Sequence, residues 1–379
     1  MTMTFPSLRQ GILIESAELH IVRLPLLTPF VISTGTMTHK VFPLLILKGE
    51  GLEGYAEAVM DPLPDYLEET IAGGMAFFKE ALVPQIIGKR FSSPQELAPI
   101  LDPWRGNRMT KAMVEMAFWD LWSKSLGISL KAAIGGTRDA VDVGVSLGIA
   151  SLDRTLERVE AAVEQGYKRT KLKIAKGHDV KLVEGIRKNF PEIKLTVDAN
   201  TDYGLEDLAV LQQLDEFKLD YIEQPLAYDD IYDHSKLQSA LKTAVCLDES
   251  IRTVKDARMA LELKAARVIN IKVGRVGGIS IARSIHDVCE AFGVPVWCGG
   301  MLESGIGRAH NIHLATLRNF SKPGDTSSAS RYFQRDIINE PLEASSGQMP
   351  VPSNGAGIGV TLDKDYLKKV SESVEEFKA

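Results

Sequence analysis

RTKLKI (169–174), KLTVDAN (194–200), LDYIEQP (219–225), AVCLDES (244–250) and ARVINIKV (266–273) are five short apolar runs that end in charged or amide side chains. Lys173, Asp198, Glu223, Asp248 and Lys272 stand at those ends, spaced 25, 25, 25 and 24 residues apart. Segments of helical pattern fill the intervals, so the repeat is strand, loop, helix, loop. Such units build parallel sheet, because each crossover helix returns the chain to the same end. Closed into a barrel, they aim the polar residue ending each strand at the mouth, where this architecture keeps active sites. Parity agrees. Lys171 and Lys173 share one strand face, as do Asn270 and Lys272, since side chains alternate with period two. A simpler reading makes such charges mere markers of where strands meet solvent, but five in register on consecutive units argue against it.

The rest of the chain bounds this picture. With 379 residues it exceeds one ordinary core, and two domains are expected. Hydrophobic residues at 45% and charged residues at 25% are globular values. A net charge of −6 without a basic block excludes nucleic acid as an expected partner. No apolar run approaches the ~20 residues of a membrane helix, and MTMTFPSLRQ lacks the pattern of a secretory leader. Cys246, Cys289 and Cys298 show no CxxC spacing, so neither a disulfide framework nor a zinc site is indicated. A soluble, cytoplasmic protein is expected.

Upstream, residues 12–24 alternate as a half-buried strand, and a loop rich in Thr, Ser and Gly follows over 28–40. Residues 41–48 and 54–59 read as a hairpin around Gly49-Glu50-Gly51, followed by the Pro-rich loop MDPLPDY (60–66). Helices are expected over 67–82 and 110–126, the latter with packing aromatics and Gly127 as its stop. The composition changes near 137–141. A first barrel strand is expected at 141–147 with a helix at 153–165, a late strand at 294–298 with a helix from about Ser304, and a last strand at about 329–338. GIGVTLD (357–363) and a charged tail helix should return to the first domain. The fold class is therefore α/β: a modified (β/α)8 barrel, TIM-type with (β/α)7β order, over 139–345. An α+β capping domain forms from 1–138 and the C-terminal segment 346–379.

Three carboxylates on successive strand ends, Asp198, Glu223 and Asp248, suit a hard divalent cation such as Mg²⁺, with Mn²⁺ as an alternative. No His accompanies them at ligand spacing, which argues against zinc. A salt-bridge network with the lysines is the competing reading. Asn200 points the same way as Asp198 and is placed to meet substrate or a metal-bound water. Lysines facing each other across a metal suggest proton transfer, because partial desolvation or a neighbouring cation lowers a lysine's pKa. One lysine on each face of a planar intermediate allows a proton to leave one side and return to the other, which is racemisation. With a β-leaving group the same intermediate eliminates.

KLK (171–173), DAN (198–200), EQP (223–225), DES (248–250) and NIK (270–272) together resemble the enolase superfamily, within it the muconate-lactonising subgroup. The resemblance covers most of the chain. It implies that Asp198, Glu223 and Asp248 ligate Mg²⁺ and that Lys173 and Lys272 are the acid–base pair. Lys171 would lie beside Lys173, help to depress its pKa and hold the substrate carboxylate. GGMLESGIGRAHN (299–311) and VSLGI (145–149) are similar to the branch of o-succinylbenzoate synthases and N-succinylamino acid racemases. Arg275 matches an arginine of the racemase side of that branch, and Val273 departs from it where proline is common. The resemblance also implies that capping-domain loops set specificity: Phe30, Met60 and Tyr66 for a side-chain pocket, Ser146, Gly300, Met301 and Leu302 for the barrel end.

The expected activity is Mg²⁺-dependent removal of a proton α to a carboxylate, giving an enolate. It would serve N-succinylamino acid racemisation, dehydration to o-succinylbenzoate, or both, on a small-molecule carboxylate in a homo-oligomer. Muconate cycloisomerisation and dipeptide epimerisation are rivals on the same scaffold, and a non-catalytic binding barrel is the rival of another class. No aspartate pair after the late strands is found to grip a dipeptide amine.

Overall fold

The computed structural model describes residues 11–32 and 35–379. Strands β1 (Ile12–Leu13), β2 (Ser16–Ile32), β3 (Gly35–Gly49), β4 (Leu52–Glu57) and β5 (Arg90–Phe91) belong to the cap. β2, β3 and β4 run antiparallel, and Gly49-Glu50-Gly51 turns the second hairpin as expected. Where a loop is expected over 28–40, residues 28–32 and 35–40 instead continue the β2–β3 ladder, with Phe30 opposite Met37 beyond a register shift after Pro25. Leu44, Leu45, Ile46 and Leu47 are all buried, so β3 is covered on both faces.

Helix Arg108–Ser125 explains why that cover is complete. It is buried nearly all round, against the sheet on one side and barrel helices on the other. Phe118, Trp119 and Leu121 are core residues, as their helical spacing suggests. Its polar side chains join the cap to the rest. Glu115 accepts hydrogen bonds from Ile279 N (2.7 Å), Ser280 N (3.0 Å) and Ser280 Oγ (2.6 Å), capping the helix Ile279–Ala291. Asp120 accepts from Tyr55 N at 2.9 Å and Ile358 N at 2.8 Å.

The expected strand 141–147 divides in two. β6 (Ala140–Asp142) pairs antiparallel with a late strand, and β7 (Val145–Leu147) starts the barrel. Gly144 lies between them, where a Cβ would stand 2.5 Å from Arg169 Nε; only glycine lets that side chain cross. The barrel continues through β8 (Thr170–Lys173), β9 (Leu195–Asp198), β10 (Ile222–Glu223), β11 (Val245–Leu247), β12 (Val268–Ile271) and β13 (Val296–Cys298). These seven strands lie parallel in chain order. Helices such as Leu152–Glu164 separate them, and the helix Gly305–Leu314 follows the last.

The eighth stave differs from expectation. Residues 329–338 form a 3₁₀ turn and a strap to the cap, where Leu26 bridges Phe333. The barrel is closed by residues 319–325. Phe320 bridges Val296, Gly324 bridges Val143, and Asp325 N donates to Cys298 O at 3.0 Å. This segment, NFSKPGD, carries Pro323 and Gly324 and has no apolar alternation, so it does not read as a strand.

β14 (Gln348–Pro350) pairs with β6, and from Gly357 the chain rejoins the cap, where Leu130 N donates to Gly357 O. The expected tail helix covers only Lys364–Val370. β15 (Ser371–Lys378) then adds an edge strand to β2. At the other end of the sheet, Glu57 accepts from Ser304 N (3.1 Å), Gly307 N (3.3 Å) and the Ser304 hydroxyl, tying the cap to the barrel mouth.

Candidate active site

Parallel strands of alternating side-chain direction bring the expected residues to one end of the barrel. Lys173 Nζ donates to Asp198 Oδ2 at 2.6 Å and Asn200 Oδ1 at 2.5 Å. Lys171 Nζ lies 3.0 Å from Glu223, 2.8 Å from Asp325 and 3.3 Å from Asp198. Lys272 Nζ lies 2.8 Å from Asp248 Oδ2 and donates to Tyr66 OH at 3.0 Å. Asp198, Glu223 and Asp248 are at most 1% exposed. Both lysine-bearing strands, the second and the sixth, therefore present ammonium groups to one acidic centre.

Charge is distributed unevenly around that centre. Burial works against ionisation of Asp198, but the ammonium groups of Lys173 and Lys171 hold its carboxyl well below the usual range. Burial and the charge on Asp198 push Glu223 above the ordinary carboxylate value. For Lys171 burial favours the neutral form, yet Asp325, Glu223 and Asp198 hold it well above the ordinary lysine range. Burial acts likewise on Lys272, and Tyr66, Glu249 and Glu223 outweigh it. Carboxylates thus crowd the ammonium groups of Lys171 and Lys272 and outweigh the effect of burial at both.

A cavity of about 610 Å³ opens above these strand ends. Lys171, Lys173, Asp198, Asn200, Lys272, Ser146, Gly300, Met301 and Leu302 line it, as does Tyr66 from the cap. Met60 does not. It is 1% exposed and packs beneath its loop, where a Cβ on Gly74 would come within 2.7 Å of its methyl carbon. The side chain of Phe30 lies outside the described residues. Arg275 is buried behind the wall rather than placed on the surface, with an ion pair to Asp248 and a 2.8 Å hydrogen bond to Asn270 O. Val273 opens a short helix, Val273–Val276, that carries Arg275 inward.

Backbone strain gathers at the mouth. Asn200, Gln224 and Leu302 have φ of 41°, 35° and 56°, a region that non-glycine residues seldom occupy and that clusters at functional sites. Gln224 shows what holds it: its side chain accepts from Asp248 N at 2.9 Å and donates to Ser250 Oγ at 2.6 Å, strapping the end of β10 to that of β11. Asn270 donates to Glu223 at 2.9 Å across the barrel, and a Cβ on Gly299 would lie 2.3 Å from its Oδ1.

Sequence reasoning missed Asp325, Glu249 and Arg169. Asp325 ion-pairs with both Lys171 and the buried Arg169, and the segment bearing it lacks a strand pattern. Glu249 lines the cavity beside Asn200, 3.3 Å from its amide nitrogen. The DES motif contains Glu249, but parity turns attention to its neighbour.

The donor set is all oxygen, which suits a hard divalent cation rather than zinc. Among the described residues, two buried oxygens at the site, Glu249 Oε2 and Asn270 Oδ1, have no hydrogen-bond partner, and Glu249 also lines the cavity. Among the described residues no three acidic or imidazole side chains converge as a ready-made cage, since Asp248 is turned to Lys272 and Arg275. The residues fit such an ion chemically; Asp248 would exchange an ammonium or guanidinium partner for it.

A capped barrel with opposed lysines and an acidic centre defines an enzyme built for proton transfer next to a carboxylate. Residues 16–135 match the mandelate racemase / muconate lactonizing enzyme N-terminal domain, and residues 154–366 the enolase C-terminal domain-like family. The chain belongs to this family and, through it, to the enolase superfamily, which implies a divalent metal. It is 52% identical over 359 residues to an N-succinylamino acid racemase of Thermus thermophilus, covering 94% of this chain and 97% of the relative. It is 46% identical over 366 residues to an o-succinylbenzoate synthase of Geobacillus kaustophilus, covering 96% and 97%. A crystal structure of an enolase-superfamily member from Listeria innocua superposes with a TM-score of 0.94 at 43% identity, covering 97% of this chain and 100% of that one. No helix among the described residues is long and apolar enough to cross a membrane.

Proposed function

We propose that this enzyme removes the proton α to the carboxylate of a small substrate in the presence of Mg²⁺. It thereby racemises N-succinyl amino acids, forms o-succinylbenzoate by dehydration, or does both. The observation that carries the reading is that Lys173 and Lys272, at the ends of the second and sixth strands, line one cavity with Asp198, while Glu223 and Asp248 lie buried beside it against Lys171 and Lys272. Asp198, Glu223 and Asp248 would hold the cation, which when bound draws electron density from the substrate carboxylate and acidifies the α-carbon.

This chain's side chains do the rest. Lys171 meets the substrate carboxylate as a cation. Lys173 Nζ takes the α-proton from one face, leaving a planar carbanion, and Lys272 Nζ delivers a proton to the other. The product is the opposite enantiomer, and the reverse reaction exchanges the lysine roles. In the dehydration Lys173 takes the proton and returns it to the departing hydroxyl as water, while Lys272 remains a cation beside the intermediate. Asn200 fixes Lys173 through its side-chain oxygen. Dipeptide epimerisation is disfavoured because Asp325, the acid that ends the closing segment, is engaged by Lys171 and Arg169. The reading includes a cytoplasmic setting, supported by three free thiols, and the homo-oligomer implied by the family.

The test uses protein with Mg²⁺ in D₂O and N-succinyl-L-phenylalanine, followed by NMR at the α-proton and by polarimetry. Exchange with loss of rotation is expected, and a parallel assay with the cyclohexadiene substrate ranks the dehydration. Absence of both reactions with metal bound would overturn the reading in favour of cycloisomerisation.

A further inference from the structure

Asn200 stands between a cation and a carboxylate. Its Oδ1 accepts from Lys173 Nζ at 2.5 Å, and its Nδ2 donates to Glu249 Oε1 at 3.3 Å. An ammonium carries only donors and an ionised carboxylate only acceptors, so these two neighbours admit one orientation of the amide. The backbone is set to match. Asn200 and Thr201 are consecutive non-glycine residues at positive φ, 41° and 69°, and Thr201 N donates to Gln224 O at 2.9 Å. Such strain persists only where the surroundings over-determine it. The chain Lys173–Asn200–Glu249 thereby joins the ends of the second, third and fifth barrel strands.

Glu249 is a buried acid, 2% exposed, in a place where a carboxylate is costly to keep. Besides its own backbone N–H, the one group among the described residues that donates to its side chain is the Asn200 amide. The charge of Lys272 also reaches it. Lys272 has directed partners of its own, however: Asp248 at 2.8 Å and Tyr66 at 3.0 Å. The directed contact of Glu249 therefore runs toward Lys173. Lys173 Nζ has one other partner among the described residues, Asp198 at 2.6 Å, a residue assigned above to the cation. Asn200 is then the contact that keeps Lys173 on its face of the α-carbon, and Glu249 is what keeps Asn200 turned that way.

We propose that Glu249 is a positioning residue: by fixing the Asn200 amide it holds Lys173 in line with the α-proton, and so serves one face of the substrate and not the other. This inference rests on the two-lysine reading above, so its test reads Lys173 both with and without turnover. Initial rates of α-proton exchange in D₂O with Mg²⁺ are measured separately for N-succinyl-L- and N-succinyl-D-phenylalanine. The enantiomer that loses exchange in Lys173→Ala is the one that Lys173 serves. Glu249→Ala should slow that enantiomer about 10- to 100-fold, the weight of one hydrogen bond to a charged group. Glu249→Gln, whose carbonyl oxygen still accepts from Asn200, should recover most of the loss. Any change at the enantiomer served by Lys272 follows the charge and should be equal in the two variants. On an Asn200→Ala background, Glu249→Ala should add less than about threefold. Equal slowing of both enantiomers by Glu249→Ala would overturn the proposal, as would equal loss in Ala and Gln. Exchange at Lys173 that survives Asn200→Ala unchanged would overturn it whether or not Glu249→Ala folds. Without turnover, acetic anhydride labels chelator-treated protein and peptide mass spectrometry compares Lys173 with Lys272. Lys173 should acetylate faster in Glu249→Ala than in Glu249→Gln, and equal labelling would overturn the proposal. Exchange absent from the wild type with both enantiomers would instead overturn the proton-transfer reading and leave the labelling result standing.

Discussion

The carboxylate of Asp325 lies 2.8 Å from Nζ of Lys171, so the segment that closes the barrel supplies a counter-charge to the lysine of the second strand. The same carboxylate pairs with Arg169, which is buried and hydrogen-bonds the Tyr221 hydroxyl at 3.1 Å. Asp325→Asn keeps the shape and deletes the charge. Lys171 retains Glu223 and Asp198, so the cost should fall at the low end of the about 3–5 kcal/mol seen when a buried pair is broken. A urea titration measures it. An unchanged midpoint would show that Asp325 is not needed to balance these cations.

The opposed lysines predict different single-site phenotypes for exchange and for inversion. Lys272→Ala and Lys173→Ala should each lose racemisation by about 10²–10⁴-fold, the usual contribution of a positioned acid or base. Each variant should still exchange the α-proton of the one enantiomer that faces its surviving lysine. NMR in D₂O with separate enantiomers reads both effects. Full racemisation by Lys272→Ala would rule out a two-base mechanism.

Cation binding should appear as stability before it appears as rate. An ion held only by the folded state raises unfolding free energy by about 2.7 kcal/mol at a hundredfold excess over Kd. Addition of Mg²⁺ to chelator-treated protein should therefore raise Tm. Glu223→Gln should abolish most of that rise while Lys171 keeps Asp198 and Asp325 as partners. A rise that persists in the variant would place the ion elsewhere.

Glu57 predicts a pH dependence of known sign. Burial, with the charges of Glu303 and Asp336 adding to it, pushes its carboxyl up to about 8, against the Ser304 hydrogen bond and Lys40. Below pH 4.5 both folded and unfolded states hold the proton and the contribution is fully present. Between 4.5 and about 8 the folded state keeps a proton that the unfolded state has lost, so stability falls as pH rises, by up to about 1.4 kcal/mol per unit. The difference between wild type and Glu57→Gln, measured by urea unfolding from pH 5 to 8, should shrink along that slope. A difference independent of pH would mean that Glu57 is ionised in the fold.

The barrel and its acidic centre were legible because the repeat is nearly isometric and each strand ends in a residue whose charge breaks the apolar run. Lys173 was placed by that repeat, and parity then put Lys171 beside it and Asn200 beside Asp198. The closing strand was not legible. Residues 319–325 pair through two bridges and a few backbone bonds, so the fold asks no hydrophobic alternation of them, and Asp325 was lost with them. Met60 failed for the opposite reason: in a Pro-rich loop its apolar side chain served the core instead of the cavity. Arg275 could be matched to a family position, but its burial behind Asp248 depends on the turn from β12 into a four-residue helix.

The tail gives the last contrast, since SESVEEFK reads as the end of a charged helix and is the edge strand β15. Its residues pair with Ser16–Val22 of β2, and Phe377 sets its ring edge against Phe78 with centroids 5.7 Å apart. Glu372, Glu375 and Glu376 are exposed along it, and charge on an edge discourages pairing with another chain. Removal of residues 371–379 would leave β2 as the edge, with an open ladder. The truncated protein should unfold at lower temperature and associate with rising concentration in sedimentation velocity. Phe377→Ala leaves the ladder intact and should cost about 1 kcal/mol from the lost ring pair, together with some apolar burial, without association. If truncation lowered Tm no more than Phe377→Ala does and left the protein's association state unchanged, the ladder to β2 would contribute nothing and the cap would be a three-stranded sheet in its own right.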